Sequence, residues 1–396
     1  MTTLHTHTPK LIASTIVVLL AAGMTTSAPQ IDNAALLYYQ ACMLYGQPDG
    51  EMEQMLADFR DGKTASNEVI RKHIEANRFV IGYVVKGADL PHCDWGYDYS
   101  LGLDITLTHL STIRRIAFLV AADARLFAEQ GDYRTAMDRC VTLHKMARHE
   151  TDRMLVTYLV GVAMSGLANR TIQDLLVGVS GEPESLSQLN VQLSRFQDAF
   201  PSVATAIAQE SQLWAASMRK EQAESFLRTL KDGDDPTKSE SVAALIRDAD
   251  DSFFERSRTH WLNSIAAMID ILKSGLPYAE ICARLDALDT RLAGEAPDNP
   301  DAILTALSLP ATERVYMLAT RLQTHFNALR TAIDIYAVRA RTGRSPDSLP
   351  PNSPLDPFSG GPFVYEKAND HFILRCQAKE YPEKTEANQY QFKIRP

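Results

Sequence analysis

The chain has few cysteines and carries none of the common catalytic signatures. Its five cysteines (Cys42, Cys93, Cys140, Cys282 and Cys376) in 396 residues match no zinc or redox spacing, and no two of them form a Cys-x-x-Cys pair. Nucleophile elbows of the Gly-x-Ser-x-Gly kind, phosphate-binding glycine loops, His-Glu-x-x-His and EF-hand loops are all missing from the sequence. A basic patch is lacking too. The formal net charge is −9, the isoelectric point is near 5.6, and Lys and Arg are scattered, which argues against nucleic acid as a partner because phosphate binding needs a cationic footprint. With 45% hydrophobic and 22% charged residues the composition is that of a globular chain, long enough for two domains or one elongated helical domain.

What is present begins with a targeting pattern. Lys10 is the sole charged residue before Asp32, and it precedes an apolar run from Leu11 to Met24 followed by small polar residues. That is the layout of a secretory signal, with cleavage after Ala28 or Gly23; the rival is an uncleaved N-terminal membrane anchor. Either route places the protein outside the cytoplasm, in the periplasm or cell envelope, with possible membrane attachment through residues 10–24. Export permits disulfides, yet an odd cysteine count leaves at least one thiol free or paired between chains. Cys140 and Cys282 fall on apolar helix faces and read as small buried hydrophobes.

Beyond the leader the apolar period is helical. Helices are predicted over 33–45, 51–59 and 67–86, and then over three strong segments ending near Leu176. In the first of these, Ile113, Ile116, Ala117, Val120, Ala124 and Phe127 recur at helical intervals. Gln130-Gly131-Asp132-Tyr133 makes the turn, and Ala136, Cys140, Leu143 and Ala147 line the next helix. Residues 154–168 are apolar nearly all round and read as a buried core helix, with Gly161 and Gly166 letting a neighbour approach. Further helices are predicted over 184–200, 203–230, 241–273 and 277–292. A last one carries a stripe from Val315 through Leu322, Phe326, Leu329 and Ile333 to Ala340 and stops at Gly343. Alternating apolar residues at 363–365, 371–376 and 390–394 then suggest two or three short antiparallel strands.

The chain therefore divides into a signal or anchor (1–28), a helical domain (29–230), a polar linker (231–240), a second helical segment ending in the long helix (241–343) and a Pro- and Gly-rich tail with a small β-hairpin (344–396). The fold class is mostly α: an irregular, right-handed stack of antiparallel helical hairpins, α-solenoid-like, with a small C-terminal antiparallel β element.

The candidate site is the loop after Pro91, where Asp94, Trp95, Tyr97, Asp98 and Tyr99 put carboxylates among aromatic rings beside His92, Cys93 and Asp104. Its spacing departs from calcium and zinc loops, so no metal and no cofactor is expected. The other reading is a connector whose rings pack over a helix end while its aspartates cap backbone. His144 and His149, five apart, point to different faces and are expected in solvent. Glu210 and Glu221 on the predicted 203–230 helix are a weak glycosidase-like pair.

Three resemblances add to this. Ala124, Gly131, Tyr133 and Ala136 are similar to the turn of one tetratricopeptide-type hairpin, where small residues let two helices close. The long helix with Thr342-Gly343-Arg344-Ser345-Pro346, followed by Asp356-Pro357-Phe358-Ser359-Gly360 and Phe363-Val364-Tyr365, is similar to the C-terminal region of type II secretion major pseudopilins, whose N-terminal cleavage motif is missing here. Over most of its length, with Asn33-Ala34-Ala35-Leu36-Leu37-Tyr38-Tyr39 and Cys93-Asp94-Trp95-Gly96, the chain resembles uncharacterised exported helical proteins of planctomycete-type bacteria; that resemblance implies a fold and a compartment and no activity. The expected function is a non-catalytic envelope protein binding a protein or peptide partner. The alternatives are an envelope-polymer hydrolase using acidic residues near 93–104 and a pseudopilin-like secretion accessory.

Overall fold

A computed structural model describes residues 31–223, 225, 227, 236–309, 311–377 and 389–394. The expected signal or anchor and most of the polar linker (231–235) lie outside the described residues. The rest is mostly helical, packed as hairpins, with a three-stranded antiparallel sheet at the C-terminal end.

Among the described residues four short helices come first: α1 (Ala34–Leu44), α2 (Gly50–Arg60), α3 (Glu68–Ala76) and α4 (Arg78–Ala88). Three long ones follow, α5 (Leu110–Glu129), α6 (Tyr133–Glu150) and α7 (Leu155–Leu175), and then α8 (Pro183–Ala199) and α9 (Val203–Ser217). The second half contains α10 (Pro236–Asp248), α11 (Asp251–Leu272), α12 (Tyr278–Glu295), the short α13 (Ile303–Ser308) and the long α14 (Thr312–Thr342). Strands β1 (Val364–Lys367), β2 (His371–Arg375) and β3 (Gln389–Lys393) close the chain, with β2 in the middle.

Three predicted helices are interrupted, each time by a polar group that competes for the backbone. The segment 67–86 breaks at Asn77, whose side chain donates to His73 O at 3.0 Å and accepts from Gly46 N at 3.1 Å. The helix expected over 203–230 ends at Ser217, where the Arg258 guanidinium takes the last carbonyls, Ala215 O at 3.1 Å and Met218 O at 2.9 Å. The segment 241–273 is two helices, because Asp250 caps α11 by accepting from Phe253 N at 2.9 Å.

Two apolar clusters share the α5–α6–α7 sheaf. One joins α1–α4 to it through Tyr38, Phe59, Ile74, Val84, Ile116 and Leu143. The other runs from Cys140, Tyr158 and Ile172 through Leu193 and Trp261 to Phe326, Phe372 and Phe392. Helix α7 serves both, so its apolar surface is mostly inside the protein: 67% of the hydropathic window in Leu155–Val179 is buried, although its length and composition alone would suit a membrane span. Gly161 makes this possible. A Cβ there would sit 2.7 Å from Ala147 O, so the glycine sets how closely α6 and α7 approach. Gly166 does not do this; it faces an open cleft described below.

The five cysteines are unpaired; Cys140 and Cys376 are buried and the other three half-buried. In the tail, Asp356 is fully buried and organises the Asp-Pro-Phe-Ser-Gly turn. Its carboxylate accepts from Phe358 N, Ser359 Oγ and Gln377 N at 3.0, 2.7 and 3.2 Å, tying the turn to the end of β2.

His144 and His149 are not in solvent. His149 is half-buried with Nδ1 2.8 Å from Tyr38 Oη, and His144 is buried between α6, α7, α8 and α14, 2.9 Å from Ser165 Oγ and 4.9 Å from the Phe196 ring. The sheaf is thick enough that both faces of α6 meet neighbours. Burial lowers the His144 pKa to about 3. The unfolded value is about 6.5, so stability from neutral His144 is whole above that pH and is lost as pH falls toward 3. We expect the stability gap between wild type and His144→Gln to move toward the variant by about 1.4 kcal/mol per unit between pH 6.5 and 4 in denaturant melts. A gap independent of pH would contradict the burial argument.

Candidate functional site

The loop at 93–104 turns inward. Trp95 is 4% exposed, its ring stacks 4.0 Å from that of His109, and its Nε1 donates to His149 O at 3.0 Å. Tyr39 donates to Trp95 O at 2.9 Å, and the Tyr38 ring lies 5.6 Å from the indole. His109 Nε2 stands 3.1 Å from Tyr97 Oη and 3.2 Å from Glu150 Oε1, and Glu150 is wholly buried. Burial pushes the Glu150 carboxyl pKa up, while the bond and charge of His109 oppose that shift. Burial also lifts the Tyr97 hydroxyl, helped by the nearby Glu150.

The two loop aspartates point elsewhere. Asp94 Oδ1 accepts from Gly96 N, and the Asp94 backbone exchanges two bonds with the Asn33 side chain at 2.8 and 2.9 Å. Asp98 accepts from Ser100 N and Oγ at 3.0 and 2.6 Å. Tyr99 is half-buried at the rim, with the Arg153 guanidinium 4.8 Å above its ring. So Trp95 and Tyr97 converge on His109 and Glu150, whereas the Asp94 and Asp98 carboxylates stay in the loop itself and Tyr99 meets Asp152 and Arg153 at the rim. Among the described residues no three His, Cys, Asp or Glu are grouped to hold a metal.

Sequence reasoning missed His109 and Glu150. Glu150 was legible in principle, because it continues the Leu143 and Ala147 stripe at helical spacing and so belongs to the buried face of α6. With Glu150, His109 and Trp95 at or near zero exposure, water and substrate have no access to the pair. The arrangement ties α1 and the loop to the end of α6. Glu210 and Glu221 do not form a pair of like environment: Glu210 accepts from Leu155 N at 3.2 Å and caps α7, while Glu221 is exposed in a short turn.

A second place is open and charged. Between α7, α14 and β3 lies a cleft of about 410 Å³, walled by Val162, Ala163 and Gly166 on one side and by Leu318 and Leu322 on the other. Arg170 and Arg321 line it with Gln173, His325 and Tyr390, and among the described residues no carboxylate does. A second cleft of about 340 Å³ adjoins it, sharing Arg170 and Gln173 and adding Arg60, Asp61 and Asp174. There the charges are mostly matched: Arg60 meets Asp61 at 2.8 Å and Arg125 meets Asp174 at 3.4 Å. Arg170 and Arg321 are both exposed and make no ion pair or hydrogen bond among the described residues. Although Arg170 reaches solvent, partial desolvation along the α7 wall and the charges of Arg60 and Arg321 push its pKa down against the opposing charges of Asp61 and Asp174. Burial plus Arg170 and Arg321 lower the pKa of His325 to about 3. His325 is therefore neutral at ordinary pH and hydrogen-bonded to Gln173 Oε1 at 2.8 Å.

No family model, no curated protein and no solved structure matches this chain. For the buried loop, Trp95→Ala removes a packed ring and a hydrogen bond and is expected to cost about 3–5 kcal/mol in urea unfolding. Asp98→Ala removes only local turn bonds at an exposed position and should cost far less. Equal costs would contradict the division between inward rings and outward carboxylates.

Proposed function

We propose that this chain is a non-catalytic, exported envelope protein that binds another polypeptide in the cleft between α7 and α14. One observation carries the reading: two arginines that make no direct ion pair or hydrogen bond among the described residues stand in a concave, partly apolar site of a protein whose formal net charge is −9, with Asp61 and Asp174 on the far side of Arg170 only. The two guanidiniums act on each other as like charges and repel. The arrangement favours a ligand that brings its own negative charge, and guanidinium forks suit carboxylates by bidentate geometry. The hydrolase reading, which rests on acidic residues near 93–104, has less support: Asp94 and Asp98 are engaged in local turn bonds, and the carboxylate beneath the loop, Glu150, is sealed in the core. Export rests on the Lys10 and 11–24 pattern in the sequence.

The test is photo-cross-linking of the full chain in its native envelope fraction, with a benzophenone amino acid in place of Leu318. A discrete polypeptide adduct that is lost in the Arg170→Ala, Arg321→Ala double variant is expected. No adduct, or the same adducts with and without the arginines, would overturn the proposal.

A further inference from the structure

We infer that the ligand group held in this cleft is the free C-terminal carboxylate of a polypeptide whose last residue is apolar. The inference rests on the binding reading above and names the chemistry of that same site.

The argument begins with how closely the cationic and apolar groups are interleaved. On α14, Leu318, Arg321 and Leu322 fall at i, i+3 and i+4, so they share one face within about one helical turn, roughly 5.4 Å of axis. On α7, Gly166 and Arg170 are likewise i and i+4, and the absent side chain at Gly166 opens the wall next to the guanidinium. A ligand matching this wall carries its charge and its apolar group on neighbouring atoms. The last residue of a peptide does so, because its carboxylate and its side chain branch from one Cα. Two guanidiniums from two helices can then share the two carboxylate oxygens, each by charge-assisted hydrogen bonds.

The adjoining cleft decides between a peptide and other anions with an apolar part. A fatty acid puts its charge at one end of a long alkyl chain and needs an apolar path leading away from the arginines. Beyond Arg170 and Gln173 the path is instead polar, with the Arg60–Asp61 and Arg125–Asp174 pairs at its sides. An acidic side chain within a peptide would bring polar main chain on both sides of its charge, leaving Leu318, Leu322 and Val162 unused. A chain terminus fills both halves: its last side chain takes the apolar wall, and the amides of the preceding residues run past Asp61 and Asp174. Neutral His325, bonded to Gln173 and tilted on Tyr390 with rings 4.8 Å apart, makes a firm floor with no negative charge to repel the carboxylate.

The experiment is fluorescence anisotropy of the full chain with short N-terminally labelled peptides ending in leucine, each made as the free acid and as the C-terminal amide. The free acid is expected to bind at least tenfold more tightly than its amide. That preference should vanish in Arg170→Ala and in Arg321→Ala, and Arg170→Lys should restore only part of it because a lysine lacks the fork. Both arginines are exposed, so the variants should keep the wild-type circular dichroism melt, which controls for folding. Equal binding of acid and amide would overturn the terminus while leaving the cross-linking test of polypeptide binding untouched. Binding of dodecanoate with no peptide binding would overturn it in favour of a lipid ligand. An acid preference that survives both alanine variants would overturn the site.

Discussion

The packing of α7 against two cores at once is the constraint on which the rest depends. A helix that gives Met164, Leu167 and Ala168 to one cluster and Tyr158, Ile172 and Leu175 to the other has almost no free surface. Gly161 brings α6 within contact on one side, and α14 covers another. What remains is a narrow stripe, Val162, Ala163, Gly166, Arg170 and Gln173, and that stripe is one wall of the arginine cleft. The cleft follows from the fold: small residues on the exposed stripe leave a gap beside α14, and the one long cation on it makes no direct ion pair among the described residues.

The other end of the sheaf is closed by the opposite device. There the chain buries a carboxylate with its histidine under an indole, and uses Asn33 and Asp94 to hold the loop against α1. Burying Glu150 is costly, and the His109 contact with the stacked ring of Trp95 offsets part of that cost. The Glu150 Oε1–His109–Tyr97 contacts tie the start of α5, the loop and the end of α6 together. In this protein the inward polar groups set the structure, and the arginines at the open cleft are the ones the proposed ligand would meet.

Much of the helical framework was legible from period alone, because stripes such as Ile113–Ile116–Val120 and Val315–Leu322–Phe326–Ile333 turned inward as their spacing requires. The sheet was legible from alternation, since Phe372 and Leu374 of β2 face inward with Tyr390 and Phe392 of β3. The breaks were not, because Asn77, Asp250 and Arg258 act through one or two specific side-chain hydrogen bonds to backbone that average propensity does not register. The aromatic loop was visible as a cluster, yet its partners come from the start of α5 and the end of α6. The cleft was the least visible: Arg170 read as the polar boundary of an apolar helix, and only tertiary packing brings it to Arg321.

The most direct measurement of the central claim is side-chain NMR of the arginine Nε–H groups in the ¹⁵N-labelled full chain during titration with N-acetyl-leucine and, separately, N-acetyl-leucinamide. The account predicts saturable shifts of the Arg170 and Arg321 signals with the acid, none with the amide, and no change at Arg284, which is already paired with Glu280. Unmoved Arg170 and Arg321 signals, or equal shifts with acid and amide, would contradict it.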